Sequence, residues 1–540
     1  MSASSKKKLR KELNAAAMTE KQLQEQKEAK KLRLYTGIFA AVIVVMILVV
    51  AISRIGSTGI IPRSTTALTV GGTKVSAAEL NHYYIDSVNN FLGNYGDYVS
   101  MFGLDTTKAL DDQFYNEEEE QTWSDYFLET ATASAKNMYA VYNAAQAEGY
   151  KLSEEGMASV DATVENLKMY ATLYGFGSAD AYIAAMYGEG CNEKTFRQYA
   201  EVQMTAQEFA ASKNEALVFD DAALRAEEAE NYNAYSAFSY NYCYLANSSF
   251  YQGGTEDEEG NKTYSDAEKE AGRAAAEAAA TTTEELDAAI AALELTSTTK
   301  STRCDKQQYA SVPAAIRDWV AGDRKAGDIT VIPNESTTHN HAEGEECTGD
   351  DGTTVVNGYY VIRFDSKNDN LNNLVNVRHI LVSFEGGTTD ETTGAVSYSE
   401  KEKQTAKTKA DEILAAFNAG EKTEEAFAAL ATEKTTDTGS KETGGLYENV
   451  YPGQMVQAFN DWCFNAARKT GDTEIVETEY GYHVMYFVGE SDVTYRDFMI
   501  ESNLRSEAMT EWETGLVEAA ELVVENTKYI KTDLTLSSSN

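Results

Sequence analysis

Cysteine and histidine are both scarce in this 540-residue sequence, with five of each. The cysteines are odd in number and widely spaced, and no two form a Cys-x-x-Cys pair. Such a set does not indicate a disulfide framework. The cysteine positions are Cys191, Cys243, Cys304, Cys347 and Cys463.

Positive charge is also in short supply, because 46 Lys and Arg stand against 86 Asp and Glu, for a formal charge of -40. Residues 1–33 hold ten Lys/Arg and four Glu, which makes this tail +6 and leaves -46 on the rest. An acidic body repels phosphate backbones, so we expect no nucleic-acid partner, while unfolded chains and basic surfaces remain acceptable. The length predicts about three or four folding units.

One long apolar run is present, "LYTGIFAAVIVVMILVVAIS" at 34–53, with twenty residues and no charge. At about 1.5 Å per residue, a helix of this length spans the hydrocarbon core of a bilayer. The alternative is a cleaved signal peptide, but the run is too long and the following "RIGSTGIIPRS" has no A-x-A-like site. We therefore predict a transmembrane helix and a contact with the lipid bilayer at 34–53.

The orientation of this helix follows from the charges beside it. Ten basic residues precede the span, whereas three follow it closely, at Arg54, Arg63 and Lys74. The positive-inside rule then places the 1–33 tail in the cytoplasm and the bulk of the chain outside. The predicted location is thus a cell membrane, with a single pass.

The segment 67–234 is predicted to be largely helical. It opens with "TVGGTKVSAAEL", a hairpin that turns at Gly71 and Gly72 and leads into a helix whose start has Ser76 and Glu79 in capping-box spacing. Apolar stripes at helical spacing then continue to about residue 215.

Two later stretches form an internal repeat, at 235–366 and 374–490. "SVPAAIRDWVAGDRKAGDITVI" in the first matches "QMVQAFNDWCFNAARKTGDTEIV" in the second. Each copy is predicted to be an α+β unit with a small antiparallel sheet. Where the second copy has His379 and His483, the first has Tyr242 and Tyr360.

The last segment, 491–540, has a helical pattern followed by the strand-like "KYIKTDLTL" at 528–536. This helix has no complete partner nearby in sequence. We expect the segment to return to the helical region 67–215, which has more apolar stripe than it can bury alone.

The second copy resembles the parvulin-type peptidyl-prolyl isomerases over nearly all of 374–490. The resemblance rests on "VRHILV", "TTDTGSKETGG", "GQMVQAF", "RKTGD" and "TEYGYHV", in family order and close to family spacing. It implies an isomerase that needs no metal or cofactor. The implied catalytic residues are His379, Asp437, Thr478 and His483, and the implied substrate-binding residues are Leu446, Met455 and Phe459.

The physics of the pattern fits this chemistry. His379 on the first strand and His483 on the last can meet across the sheet, with Asp437 and Thr478 completing a buried polar network. The alternative is that two buried histidines only stabilise the sheet.

The segment 385–400 holds no Lys or Arg, so phosphorylated substrates would be repelled and Xaa-Pro bonds of unfolded chains are the expected target.

A second cluster, "HNHAEGEEC" at 339–347, lies inside the first copy. Imidazole, carboxylate and thiolate at this density could hold a transition metal. The spacing matches no standard site and the flanks are those of a solvated loop, so we predict no metal here and no cofactor. The fifth histidine, His82, is expected at a helix surface or core edge.

The order of these parts resembles the SurA, PrsA and PpiD group of extracytoplasmic foldases. The implied fold is α+β: a single N-terminal transmembrane helix, a SurA-like helical chaperone domain, two tandem parvulin-like domains of which the first is degenerate, and a C-terminal helix that returns to the helical domain. The implied protein is a membrane-anchored isomerase and chaperone for nascent secreted polypeptides. The alternatives are a non-catalytic holdase or scaffold and, more weakly, a metal sensor built on 339–347.

Overall fold

The computed structural model describes residues 59–246, 255–256, 262–280, 291, 300–338, 353–390 and 393–532. The predicted tail and membrane span at 1–53 and the cluster at 339–347 lie outside these residues. Within the described ranges, every helix is too short or too polar to cross a bilayer.

The described residues begin with a mainly helical region and continue into a region that is rich in antiparallel strands. The α-helices are α1 Ile60–Ser64, α2 Ala77–Tyr95, α3 Trp123–Ala147, α4 Glu154–Leu173, α5 Ala179–Tyr187, α6 Glu193–Ala216, α7 Asp221–Glu230, α8 Asp266–Ala280, α9 Ala314–Ala321, α10 Glu400–Ala419, α11 Glu424–Lys434, α12 Gln457–Cys463 and α13 Tyr495–Ala519. The strands are β1 Thr66–Val70, β2 Thr73–Ser76, β3 Phe114–Asn116, β4 Gln121–Thr122, β5 Ala237–Ala246, β6 Thr255–Glu256, β7 Lys262–Thr263, β8 Thr302–Gln308, β9 Ile329–Thr338, β10 Thr353–Asn368, β11 Asn373–Ser383, β12 Thr388–Thr389, β13 Val396–Ser397, β14 Leu446–Val450, β15 Thr473–Thr478, β16 Gly481–Thr494 and β17 Leu522–Val524. Short 3-10 helices lie at Gly96–Phe102, Leu110–Asp112, Tyr232–Tyr235 and Tyr309–Ser311.

The chain forms two compact units. Among the described residues, the first unit takes those up to Leu217 and those from Glu507 onward, and the second takes those of Val218–Ser506. The first unit is therefore discontinuous in sequence, and α13 contains the second boundary.

The first unit begins with the predicted hairpin. Strands β1 and β2 pair antiparallel around Gly71 and Gly72, both of which have positive φ. The predicted capping box at the start of α2 is confirmed: the Ser76 hydroxyl accepts from the Glu79 backbone N–H, and the Glu79 carboxylate accepts from the Ser76 backbone N–H. These bonds satisfy amide groups that the first helical turn cannot pair.

The C-terminal segment completes the sheet and core of the first unit. Strand β17 pairs antiparallel with β1, which gives the order β17-β1-β2, and Ile530 is buried among residues of β1, α2 and α3. The predicted strand at 528–536 is wrong over its described part, 528–532, which forms a turn. The Asn81 side chain binds this turn by accepting from the Lys531 N–H and donating to the Tyr529 carbonyl, so the backbone bonds a helix side chain instead of a strand.

The expectation for His82 is also wrong, because this side chain is 0% exposed. Residues 77–85 of α2 are all buried, so the first turns of the helix have no face exposed to solvent. The apolar periodicity of the sequence therefore does not predict the burial of individual residues here. The ring of His82 packs against Tyr187, Phe196 and Tyr199, and its Nε2 lies 3.3 Å from Thr195 Oγ1. Burial lowers the pKa of His82 to about 3, so the ring is neutral.

The second unit contains two four-stranded antiparallel sheets with the same strand order. The first sheet is β8-β5-β10-β9 and the second is β14-β11-β16-β15. In each, the strands that come first and last in the sequence of the copy lie at the centre, and the other two strands of the sheet, which come between them in sequence, lie at the edges. The two sequence copies therefore have the same sheet topology.

The second sheet has a core on each face, because successive side chains of a strand point to opposite sides. Ile380 and Val484 face the side covered by α10 and α11, together with Phe427. Val377 and Met485 face the side covered by α12. By the same alternation, His379 and His483 lie on the α12 face.

Candidate active site

Two histidines meet on the central strands of the second sheet. His379 pairs across the ladder with Met485, and His483 pairs with Leu381, so the two rings are diagonal neighbours on one face. Their Nδ1 atoms are 3.0 Å apart, and the ring centroids are 5.2 Å apart with the planes 23° from parallel. Both side chains are buried.

Further hydrogen bonds extend the pair at both ends. His379 Nε2 lies 3.0 Å from Asp437 Oδ2, and His483 Nε2 lies 2.9 Å from Thr478 Oγ1. The structure thus brings the four residues implied as catalytic into one continuous chain.

The protonation of this chain follows from its acceptor end. Burial opposes ionisation of Asp437, but hydrogen bonds from Ser440, Tyr447 and His379 lower its pKa to about 2, so the carboxylate is ionised and only accepts. Burial lowers the pKa of His379, although the Asp437 charge opposes this. Burial, with a further contribution from His379, lowers the pKa of His483 to about 3. Both rings are therefore neutral near pH 7.

A neutral imidazole donates through one nitrogen and accepts through the other. His379 must donate from Nε2 to Asp437, so its Nδ1 accepts and His483 Nδ1 carries the proton between the rings. His483 Nε2 then accepts from the Thr478 hydroxyl. Every donor points towards Asp437, and the network has one consistent arrangement of protons.

Two residues of the network were not predicted from the sequence. The Ser440 hydroxyl donates to Asp437 and lies 3.1 Å from His379 Nε2, and the Tyr447 hydroxyl donates to Asp437 over 3.0 Å. The Tyr447 ring also stacks on His379, with centroids 4.9 Å apart. Burial and this hydrogen bond raise the pKa of Tyr447 to about 12, so it remains a donor.

The apolar wall beside the network comes from α12 and the residues before it. The Phe459 ring lies edge-on to both imidazoles, with centroids 5.5 Å from His379 and 5.3 Å from His483. Met455 is partly buried against the same cluster as Phe459. Phe459 thus adjoins the network directly, and Met455 adjoins the cluster that contains Phe459.

Leu446, predicted as a third wall residue, does not join them. It pairs with Arg378 and is partly exposed, whereas Tyr447 pairs with Val377 on the α12 face and packs against the Phe459 cluster. Strand alternation is the cause, because one step along β14 reverses the face. Tyr447 therefore takes the place expected for Leu446.

The turn before β14 positions Ser440 and Tyr447. Gly445 has φ +75°, and a Cβ there would lie 2.2 Å from the His379 carbonyl oxygen. Its backbone N–H donates to the Ser440 carbonyl over 2.7 Å, and its carbonyl accepts from the His379 N–H over 2.8 Å. Arg378 fixes the same turn by donating to the Thr443 and Gly444 carbonyls, and it pairs with Glu424 at 2.9 Å.

The first copy keeps the sheet without this chemistry. Tyr242 and Tyr360 are again diagonal neighbours on the two central strands, with ring centroids 6.0 Å apart. Burial raises the pKa of Tyr360. In the described part of this copy, the corresponding positions form an aromatic contact instead of a chain of imidazoles. Over the whole described chain, no group of three His, Cys, Asp or Glu side chains is arranged to hold a metal.

Residues 359–490 match the family model of the PPIC-type PPIASE domain. The second copy is a parvulin-type peptidyl-prolyl isomerase domain, and the matched range contains the whole network.

The curated relatives named here are foldases. It is 33% identical over 144 residues to foldase protein PrsA 1 of Listeria innocua, which covers 25% of this chain and 40% of that protein. It is 41% identical over 86 residues to foldase protein PrsA 3 of Bacillus cereus, which covers 16% of this chain and 27% of that protein. The crystal structure of PrsA from Bacillus subtilis is 26% identical with a TM-score of 0.19, and covers 29% of this chain and 54% of that one. The chain thus spans less than half the length of the curated relatives named here.

Proposed function

We propose that this protein is an isomerase of unphosphorylated Xaa-Pro bonds, working as a membrane-anchored extracytoplasmic foldase that also holds unfolded clients. The observation that carries the proposal is the one-direction chain from Thr478 through His483 and His379 to Asp437, next to the Phe459 wall. The similarity to PrsA foldases supports the wider assignment.

The reaction makes and breaks no covalent bond, so the site needs only to favour the twisted peptide bond. Rotation of a peptide bond has a barrier of about 18–20 kcal/mol, because conjugation must be lost. A thousandfold acceleration needs only about 4 kcal/mol of preferential binding of the twisted amide. Conjugation separates charge between the amide oxygen and nitrogen, so an apolar wall favours the twisted form in which this separation is reduced.

The polar network serves this reaction by staying fixed. Its protons have a single arrangement, and its dipoles therefore need no reorganisation when the substrate twists. Met455 and Phe459 would hold the proline ring, while Tyr447 and the imidazoles form the adjoining floor. No cofactor is needed for such a step.

Charge around the first strand favours unphosphorylated substrates. The segment 385–400 contributes acidic side chains and no basic one. The nearby Lys409 ammonium lies 2.9 Å from the Glu385 carboxylate, so its charge is already compensated. A phosphoserine before the proline would meet repulsion here.

The membrane anchor belongs to the proposal on sequence grounds. The apolar run 34–53 and the basic tail 1–33 support one pass with the body outside the cytoplasm. Tethering would raise the local concentration of clients at the membrane, so weak binding of nascent secreted polypeptides would suffice.

A non-catalytic holdase is the second candidate. The specific observation in its favour is the first copy, where Tyr242 and Tyr360 replace both histidines and the sheet order is kept. The fold evidently does not require the imidazoles, so a parvulin sheet can serve as a binding module.

Exchange NMR separates the two candidates. The full chain in non-ionic detergent is added in catalytic amount to a short unphosphorylated peptide with one Xaa-Pro bond, and the cis–trans exchange rate is measured. The test variant, His379→Tyr with His483→Tyr, installs the residues of the first copy. The matched control, Tyr242→Phe with Tyr360→Phe, changes the corresponding pair in that copy.

We expect the parent and the control to accelerate exchange and the test variant to lose at least tenfold of the acceleration while retaining its circular dichroism and melting transition. A well-folded parent that leaves the exchange rate unchanged would reject the isomerase and leave the holdase.

A further inference from the structure

The first unit has a groove of about 490 Å³ between α2, α3 and α6. This volume lies within the range of about 300–1,000 Å³ that small-ligand sites occupy. The wall is aromatic on several sides, and the rings that line it are Tyr83, Phe91, Tyr95, Tyr126, Phe127 and Tyr199.

A carboxylate without a counter-ion stands in this aromatic wall. Asp86 is partly buried, and its carboxylate accepts a hydrogen bond from the Tyr199 hydroxyl. Among the described residues, no Lys or Arg forms an ion pair with it. Burial raises the pKa of Asp86, against the effect of the Tyr199 bond. A carboxylate taken from water without a cation is unfavourable, so the position is better suited to a ligand than to the stability of the unit.

A buried hydroxyl beside it is also unsatisfied. Tyr83 is 3% exposed, and in the described part of the chain its hydroxyl has no hydrogen-bond partner. Burial raises the pKa of Tyr83, and the charges of Glu79 and Asp86 raise it further, so the hydroxyl lies within the field of both carboxylates. Buried polar groups are almost always paired in proteins, so an unpaired hydroxyl on a residue that lines the groove is a group that a ligand can satisfy.

We propose that this groove binds a Lys or Arg side chain of an extended polypeptide, with Asp86 as the counter-ion and Tyr83 as a second polar contact. The aromatic rings suit this ligand because a cation is attracted to a ring face, and because the methylene stem of Lys or Arg packs on apolar surface. The -46 charge of the sequence after residue 33 attracts basic segments over longer range. The inference rests on the proposed role as a holder of unfolded clients, and it names the side chain that the holding site selects.

The test uses a probe that the isomerase domain has no reason to bind. A fluorescein-labelled twelve-residue peptide of Gly, Ser and Ala with two Arg and no Pro is titrated with the full chain in non-ionic detergent at 0.15 M salt. A second peptide has citrulline in place of Arg, which keeps the shape and removes the charge. A third has Phe, which tests an apolar occupant.

We expect the Arg peptide to bind at least tenfold more tightly than the citrulline peptide, and Asp86→Asn to abolish that difference. The matched control is Asp111→Asn, the same change at an exposed position of the same unit outside the groove, which should leave the affinity unchanged. Equal binding of Arg and citrulline peptides, unchanged affinity in Asp86→Asn, or tightest binding of the Phe peptide would each overturn the proposal.

Stability separates a binding role from a structural one. Asn keeps the shape of Asp86 and still accepts from Tyr199, so we expect the melting temperature of Asp86→Asn to be equal to or above that of the parent. Tyr83→Phe removes only the unpaired hydroxyl, and we expect it to weaken Arg-peptide binding a few-fold without a loss of stability. A lowered melting temperature in both variants would show that these groups serve the fold, and would overturn the proposal.

This experiment and the exchange measurement fail independently. If Xaa-Pro exchange is not accelerated but Arg binding depends on Asp86, the groove stands and the isomerase falls. If exchange is accelerated and Asp86→Asn binds as the parent does, the isomerase stands and the groove proposal alone is rejected.

Discussion

The buried imidazole pair predicts that acid destabilises the second parvulin copy more than the first. In the folded state, burial lowers the pKa of His379 and lowers that of His483 to about 3. An unfolded histidine titrates near pH 6.5. Below that pH the histidines bind protons in the unfolded state but not in the folded state. Their contribution to the free energy of unfolding is therefore fully present above pH 6.5 and is lost as the pH falls.

The magnitude can be worked out for a change from pH 7.5 to pH 5.0. A histidine that stays neutral in the folded state lowers the free energy of unfolding by about 1.4 kcal/mol per pH unit once the pH is well below 6.5. For His483, this amounts to about 2 kcal/mol between pH 7.5 and pH 5.0. His379 adds to the loss in the same direction, because burial lowers its pKa as well. Asp437 adds almost nothing, because its folded pKa of about 2 and its ordinary value of 3.8 both lie below this window.

Two buried cysteines allow the stability of the two copies to be measured separately. Cys463 packs on the α12 face of the second sheet and Cys243 on the first sheet, and both are buried. The rate at which 4,4′-dithiodipyridine modifies each thiol, relative to a free thiol at the same pH, reports local opening. Between pH 7.5 and 5.0, we expect protection of Cys463 to fall by at least about 30-fold more than that of Cys243.

The variant His483→Asn isolates the cause. Asn can still donate to His379 Nδ1 but does not titrate, so the excess loss of protection at Cys463 should shrink by about 2 kcal/mol in free energy of opening. Equal changes at Cys463 and Cys243 in the parent, or an unchanged excess in the variant, would refute the reasoning that the pair is held neutral.

Three further predictions concern the geometry around the network. Gly445→Ala should destabilise the second copy by about 3 kcal/mol or more, measured by Cys463 protection, because Gly445 has a positive φ and the new Cβ would collide with backbone atoms. Gly453 also has a positive φ, of +90°, but no atom lies near its Cβ position, so Gly453→Ala should cost only about 1 kcal/mol. Tyr447→Phe should slow isomerisation by about fivefold in the exchange assay, because Asp437 loses a donor worth about 1 kcal/mol. Phe459→Ala should raise the KM for an Xaa-Pro peptide by tenfold or more, whereas Leu446→Ala should change it less than twofold.

Each of these has a clear contrary result. Equal costs at the two glycines would show that the contact with the His379 carbonyl does not restrict Gly445. An unchanged rate in Tyr447→Phe would remove its hydroxyl from the working network. A larger KM effect for Leu446→Ala than for Phe459→Ala would restore the wall expected from the sequence.

The part of the site that the sequence predicts is the part carried by strand alternation. His379 and His483 lie on the first and last strands of a copy, and these strands become neighbours at the sheet centre, so a period of two suffices to place both rings on one face. Ser440 and Tyr447 depend instead on a turn with positive φ at Gly445. The three-residue spacing from Asp437 to Ser440, and the position of Tyr447 two residues after the glycine pair, were the available signals.

The failures in the first unit have a different cause. Helical periodicity locates a buried stripe only when the other side of the helix meets solvent. The start of α2 is enclosed on all sides, so His82 was misplaced. At the C-terminus, 528–536 has a strand-like composition, but the sheet edge was already taken by Leu522–Val524, so long-range pairing overrode the local pattern.

The closing strand of the first unit has a consequence for how this protein is made. A chain that is synthesised from its N-terminus exposes β1, α2 and α3 early. The edge of β1 is paired, and the core is filled, only after Leu522–Val524 and Ile530 have been synthesised. Residues 218–506 are complete before that strand exists. The second unit can therefore fold while the first still has an open β1 edge, which reverses the usual order of vectorial folding and leaves that edge vulnerable to wrong pairing until the final turn arrives.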